Sequence, residues 1–204
     1  MILVDREAAG TAGEDFVTFL GSSFVEQGRR AADWLATATN GKAEIVELTL
    51  TPGSSVARDR AAGFKEGLAK YPGMKIIASQ TGDASRAKGQ AVMQNLIQSM
   101  GRRITAVYAH NDEMALGAIQ ALKDAGRKPG TDVIIASIDG ERAALEAIER
   151  GELAVTVESN PRFGPLAFET IDKLRKGEQI PTKILLTDRL FDKTNAAQFV
   201  ADAY

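Results

Sequence analysis

The amino-acid sequence predicts an α/β fold with a doubly wound parallel sheet. Three observations carry this. From Ala43 onward, short β-rich runs alternate with longer stretches of helical periodicity. Ile45, Ile76, Ile104 and Ile134 lie 31, 28 and 30 residues apart, the length of a strand followed by a crossover helix. Each intervening stretch carries an apolar stripe at helical spacing, so each helix has one face to bury. Strands joined by helices run parallel, and a parallel sheet needs cover on both faces.

The predicted strands of this rhythm are Glu44–Leu50, Lys75–Ser79, Ile104–Ala109, Val133–Ile138 and Ala154–Glu158. The helical stripes are Ala57, Ala61, Phe64 and Leu68; then Met93, Leu96, Ile97 and Met100; then Ala115, Ala118, Ile119 and Leu122. An earlier helix carries Phe24, Gly28, Ala31, Ala32 and Leu35. The two ends break the rhythm. Met1–Val4 and Phe16–Gly21 read as strands, but the dozen or so residues between them barely suffice for a helical crossover. Pro161–Lys176 reads as a helix with Pro165 in its early turns, Ile184–Phe191 as a strand, and Ala196–Ala203 as a short helix. The expectation is one complete α/β domain flanked by fragments of a second sheet. The chain also opens inside a strand with no lead-in element, which predicts a missing preceding segment.

Composition narrows the function classes. The 204 residues are 44% hydrophobic and 25% charged, ordinary for a globular protein able to bury a core without staples. Lys and Arg number 25 against 27 Asp and Glu, so no basic field exists to hold nucleic acid. The longest apolar runs are too short to span a bilayer, and Met1–Val4 runs into Asp5 and Arg6 without a signal-peptide pattern. With no cysteine there is neither a disulfide nor a thiol nucleophile. One histidine, no Gly-x-Ser-x-Gly elbow and no His/Cys cluster argue against an enzyme, a metal site or a cofactor. Gly53-Ser54-Ser55 lacks the Gly-Lys-Ser/Thr of a phosphate loop and reads as a helix entry.

Ligands of open parallel sheets bind beyond the carboxyl ends of the strands. The residues there are Asp5 and Arg6, the Arg58-Asp59-Arg60 helix, His110 and Asn111, Asp139 and Gly140, and Ser159 and Asn160. Carboxylates that accept from two hydroxyls, and guanidiniums that donate a planar fork, suit a polyol. Each has a plainer alternative. Asn111 and Asp139 stand at helix N-cap positions, Arg60 taken alone reads as a solvated helix residue, and Asp5-Arg6 as a strand-end pair. His110 reads as a packing or hydrogen-bonding residue.

Together these strand ends resemble the ribose- and galactofuranose-binding branch of the periplasmic binding proteins. The matching pieces are Ile2–Arg6, Gly53–Arg60 with Ala61-Ala-Gly-Phe64, Ser79–Asp83, Arg86–Gly89, Ala109–Gly117 and Ser137–Gly140. The resemblance implies two lobes, 23–159 plus 188–204 as a complete C-terminal-type lobe and 1–22 plus 160–187 as the remnant of an N-terminal-type lobe. It implies sugar-binding roles for Asp5, Arg6, Arg60, Asn111 and Asp139, a small sugar as ligand, a periplasmic location and, in a full-length form, an ABC importer permease as partner. It implies no enzyme activity and no nucleic acid. Ala84 stands where the family often has an aromatic residue, and Ser159 where ribose binders have Gln; both lean toward a galactofuranose-like or other hexose ligand. The effector domain of a LacI-type transcription regulator, which shares this fold, is the competing reading. With the first lobe incomplete, Met1–Val4 and Phe16–Gly21 are expected to present unpaired edges, which together with the apolar face of the Pro161–Lys176 helix favour a homodimer.

Overall fold

The computed structural model describes residues 1–204. The chain divides into two compact units, one of residues 1–23 and 159–188, the other of 24–158 and 189–204. No helix is long and apolar enough to cross a membrane.

The larger unit opens with helix α1 (Phe24–Ala38). It continues through β3 (Lys42–Thr49), α2 (Ser55–Leu68), β4 (Gly73–Thr81), α3 (Arg86–Met100), β5 (Ala106–Ala109) and α4 (Asp112–Asp124). It closes with β6 (Ile134–Asp139), α5 (Arg142–Glu149), β7 (Val155–Glu158), β9 (Leu190–Asp192) and α7 (Ala196–Phe199). The six strands lie in the order β4-β3-β5-β6-β7-β9. The first five run parallel and β9 pairs antiparallel with β7. The chain therefore winds outward from β3 to β4, returns, and continues from β5 to β7. That reversal places a topological switch point between β3 and β5, where crevices form at strand carboxyl ends.

The period-2 alternation of each strand feeds two cores. Ile45, Ala106, Tyr108, Ile138 and Val157 pack with Ala31, Ala32, Leu35, Phe64 and Leu68 of α1 and α2. Val46, Leu48, Val107, Ala109 and Ile135 pack on the other face with residues of α3, α4 and α5. Two predicted stripes are buried throughout: Phe24, Gly28, Ala31, Ala32 and Leu35 on α1, and Ala115, Ala118, Ile119 and Leu122 on α4; on α2 Ala61, and on α3 Ile97 and Met100, are only partly buried. Helices α1 and α2 meet backbone to backbone. A Cβ on Gly63 would lie 1.9 Å from the Val25 carbonyl oxygen, and one on Gly28 2.3 Å from that of Arg60. Only glycine permits this approach, and it brings Arg60 against α1.

The smaller unit holds β1 (Ile2–Val4), β2 (Thr18–Gly21), helix α6 (Gly164–Arg175) and β8 (Lys183–Leu185). Its sheet has the order β1-β2-β8, all parallel. Several end-segment expectations are corrected here. The connection from β1 to β2 contains no helix, only a local bridge between Ala12 and Phe16. Phe16–Gly21 is not an edge strand, because β8 pairs with it on the side away from β1. The single strand expected over Ile184–Phe191 is two strands in two sheets, β8 and β9, since the chain passes from one unit to the other between Asp188 and Arg189. The helix expected from Pro161 starts at Gly164 with Pro165 in its first positions. Pro165 is tolerated there because its missing N–H falls in the first turn, where it would have no intrahelical partner.

Candidate functional site

Three of the sequence-predicted site residues lie in the larger unit, at the carboxyl end of its sheet. Arg60 sits one turn into α2, the helix that follows β3. Asn111 follows β5, and Asp139 ends β6. The expectation that Arg60 alone is solvated is wrong: it is 3% exposed. Its Nε donates to Oε1 of Gln27 at 3.1 Å, one Nη to the His110 carbonyl oxygen at 2.5 Å, and the other Nη to Oδ1 of Asp139 at 3.0 Å. The guanidinium also lies 5.6 Å from the centroid of the Phe24 ring. A planar donor fork held on three sides has little freedom left to lose when a ligand arrives.

Asn111 does the capping work that its position suggested. Its Oδ1 accepts from the Met114 amide at 3.0 Å, and its Nδ2 donates to the Ala84 carbonyl at 3.4 Å. The cap does not exclude a ligand role, since a carboxamide oxygen has two lone pairs and the NH2 group two protons. Since Glu141 occupies the N-cap of α5, Asp139 is not the helix cap its position suggested. Its φ is 139°, in the region L-residues avoid, and Gly140 follows at 83°. Its carboxylate meets Arg60, and its own carbonyl accepts from the Tyr204 hydroxyl at 2.9 Å.

Asp5 and Arg6 lie in the smaller unit, directly after β1. Asp5 has φ 67° and its amide donates to the Leu20 carbonyl at 2.8 Å. The two side chains pair at 3.4 Å and remain substantially exposed.

Sequence reasoning passed over four groups that build the larger unit's site. Gln27 holds the Arg60 fork in place. Glu47 is fully buried on β3 and accepts from the Ser79 hydroxyl at 2.6 Å and from Nε2 of His110 at 3.1 Å. Burial works to raise its pKa, but the His110 and Ser79 bonds overcome that and hold it below the usual carboxylate value. Burial pushes His110 down, with the Glu47 bond opposing, and its Nδ1 has no hydrogen-bond partner. The expectation of a packing or hydrogen-bonding role for His110 fits these contacts. Asp112, the third group, is fully buried at the start of α4; burial first, and the Asp139 charge second, push its carboxyl up, while the bonds it accepts from Ser137, Thr156 and the Glu141 amide oppose them. Tyr204 is the fourth. A charged residue within an apolar strand was a readable signal for Glu47, whereas nothing in the sequence around Asp112 sets it apart from an ordinary acid in a helix's first turn.

Chemically, this is a polar fork and carboxylate set into a dry sheet end, with no nucleophile and base among its contacts. No group of three or more His, Cys, Asp or Glu residues is arranged to hold a metal ion.

A family model described as a periplasmic binding protein domain matches residues 1–179. The galactofuranose-binding protein YtfQ of Escherichia coli K12 is 40% identical over 190 residues, which are 92% of this chain and 60% of that protein. The ribose import binding protein RbsB of the same organism is 39% identical over 184 residues, 90% of this chain and 60% of that protein. Among solved structures, a galactofuranose binding protein superposes with a TM-score of 0.94 at 37% identity, covering 99% of this chain and 70% of that one. The periplasmic binding component of the arabinose ABC transporter from Shewanella sp. ANA-3, bound to α- and β-L-arabinofuranose, gives 0.94 at 41% identity, covering 98% and 67%. The chain thus spans 60% of the length of those two curated relatives, all four proteins are described as binding proteins, and the chain belongs to the periplasmic binding protein domain family.

Proposed function

We propose that this chain is the sugar-recognising part of a solute-binding protein that delivers a small sugar to an ABC importer in the periplasm. It acts by binding and not by catalysis. The observation that carries this reading is the Arg60–Asp139 pair: a buried, three-point-anchored guanidinium bonded to a carboxylate at the carboxyl ends of a switch-point sheet. Asp5, Arg6, Arg60, Asn111 and Asp139 are the sugar ligands in this reading. Relatives named for galactofuranose, arabinose and ribose point to a furanose as the ligand class. With Ala84 in place of an aromatic residue, a hexofuranose fits better than ribose. The LacI-type regulator reading gains nothing from these relatives.

The test is calorimetry with galactofuranose, arabinose and ribose on two proteins. One is the 204-residue chain. The other is a chimera supplying the part of the galactofuranose-binding relative that this chain does not cover. The chimera is expected to bind and the chain alone to bind weakly or not at all, because enclosure completes the polar contacts of a small ligand. In the chimera, Asp139→Ala should cost about 1.5–3 kcal/mol, the scale of a bond to a charged group. A chimera that binds no sugar, or an Asp139→Ala variant with unchanged affinity, overturns the reading.

A further inference from the structure

The strained corner at Asp139 needs something to hold it, and one buried side chain is bonded to both amides that follow it. Asp112 lies on the first turn of α4, not on the strand that carries Asp139. Its carboxylate is fully enclosed. Oδ2 accepts from the Gly140 amide at 2.7 Å and from the Glu141 amide at 2.8 Å. Oδ1 accepts from the Ser137 hydroxyl at 2.5 Å and from the Thr156 hydroxyl at 2.7 Å. These four donors come from the end of β6, the turn after it, and β7. One carboxylate therefore ties the strand before Asp139, the turn after it and the neighbouring strand to the helix that Asn111 caps.

Backbone at φ 139° followed by 83° is a conformation the chain leaves unless surrounding bonds over-determine it. Two successive amides aimed at one oxygen supply that over-determination. The Tyr204 hydroxyl on the Asp139 carbonyl supplies a third point.

We propose that Asp112 is the positioning residue of the binding site: it holds the Asp139–Gly140 turn in its strained form and so fixes the direction of the Asp139 carboxylate toward Arg60 and the ligand. The ligand half of this statement rests on the proposed sugar role of Asp139; the turn-holding half does not. Asp112 itself contacts no ligand. Its chemistry also predicts which replacement is tolerated. In Asp112→Asn the carboxamide can keep its oxygen on the two amides and turn its NH2 toward the two hydroxyls, which accept as well as donate. Alanine offers the amides nothing.

The test separates the two halves. Amide hydrogen exchange is measured on the 204-residue chain for Asp112→Asn, Asp112→Ala and the Ser137→Ala/Thr156→Val double variant. Asp112→Ala should speed exchange at Gly140 and Glu141 by tenfold or more relative to amides of β5. Asp112→Asn should leave those two within about threefold of the parent. The double variant removes the two hydroxyl donors and, with Thr156, a second acceptor of the Gly140 amide at 3.2 Å, so Glu141 is its clean reporter: it should lose stability globally yet keep the Glu141 amide selectively protected. Should Asp112→Ala fail to fold, Asp112→Ser takes its place: it stays polar, but its shorter side chain cannot accept from both amides, and the same selective loss at Gly140 and Glu141 is expected. Uniform loss across the unit in every variant, or Gly140 and Glu141 unaffected in Asp112→Ala, overturns the proposal. Sugar affinity in the chimera is read separately: a folded Asp112→Ala that loses the two protections should bind at least tenfold more weakly, and Asp112→Asn should bind as the parent does. Loss of protection with unchanged affinity would sink the positioning role, whereas a parent chimera that binds no sugar would sink only the functional reading.

Discussion

Replacing Arg60 by methionine discriminates sharply between a structural anchor and a solvated helix residue. Methionine keeps most of the aliphatic stem while removing the guanidinium and its contact with the Phe24 ring. Three bonds disappear: to Gln27, to the His110 carbonyl and to Asp139. Deleting one member of a fully buried ion pair costs about 3–5 kcal/mol, because the partner is left charged and dry. Asp139 retains 20% side-chain exposure and can be partly hydrated, so the cost falls toward the lower end. The Gln27 and His110 acceptors add a further share, since a buried acceptor left unmade costs about 1–3 kcal/mol. Some overlap between these is certain, and about 3–4 kcal/mol is the expected loss. Urea denaturation measures it; with a slope of about 2 kcal/mol per M, the midpoint should fall by about 1.5–2 M at unchanged slope. Adding Asp139→Asn to Arg60→Met should recover part of the loss, giving a coupling of about 1 kcal/mol or more. A single variant within about 0.5 kcal/mol of the parent, the range of an ordinary surface substitution, would refute the anchoring of the fork.

Three other outcomes are expected. Folded-state pKa values are depressed for both His110 and Glu47. In the native chain these two groups hold fewer protons than in the unfolded chain, so their share of stability is lost as pH falls through 6.5 and 4.5, whereas Asp112 and Glu141, both raised, act in the opposite sense. Thermal melts of the parent and His110→Gln between pH 7.5 and 5 isolate the His110 share: the parent should lose melting temperature relative to the variant as pH falls, and a constant difference would remove His110 from the account. Gly63→Ala should destabilise the larger unit by at least about 2 kcal/mol, since its new methyl meets the Val25 carbonyl and the α1–α2 pair must part; a shift in melting temperature under about 2 °C contradicts that. Met1, Val4, Phe168, Ile171, Leu174 and Leu185 are exposed on the smaller unit, and β1 and β8 are sheet edges. The 204-residue chain should therefore associate in light scattering, and Phe168→Lys should lower its mass toward the monomer. A monodisperse monomer of the parent chain at tens of micromolar would show that these surfaces do not drive self-association.

The parallel sheet was legible in the sequence because its information is local. Strand length, helix length and apolar period are set residue by residue, and they repeat in the spacing of Ile45, Ile76, Ile104 and Ile134. The positions of Arg60, Asn111 and Asp139 near strand ends were legible for the same reason, since Asp139 ends its strand, Asn111 stands two residues beyond one, and Arg60 lies on the helix that follows one. Tertiary structure alone decided what those residues do to one another. Arg60 looked solvated because its partners Gln27, the His110 carbonyl and Asp139 are 33, 50 and 79 residues away in the chain. The Ile184–Phe191 run looked continuous because β-propensity does not record which sheet a strand joins. Asp112 carries no local mark of its role, and is the anchor of a strained turn only once β6 and β7 lie beside α4. Hydrophobic periodicity is written along the chain, whereas the pairing of buried polar groups depends on which elements the fold brings within three ångströms, and that is settled only when the layers pack.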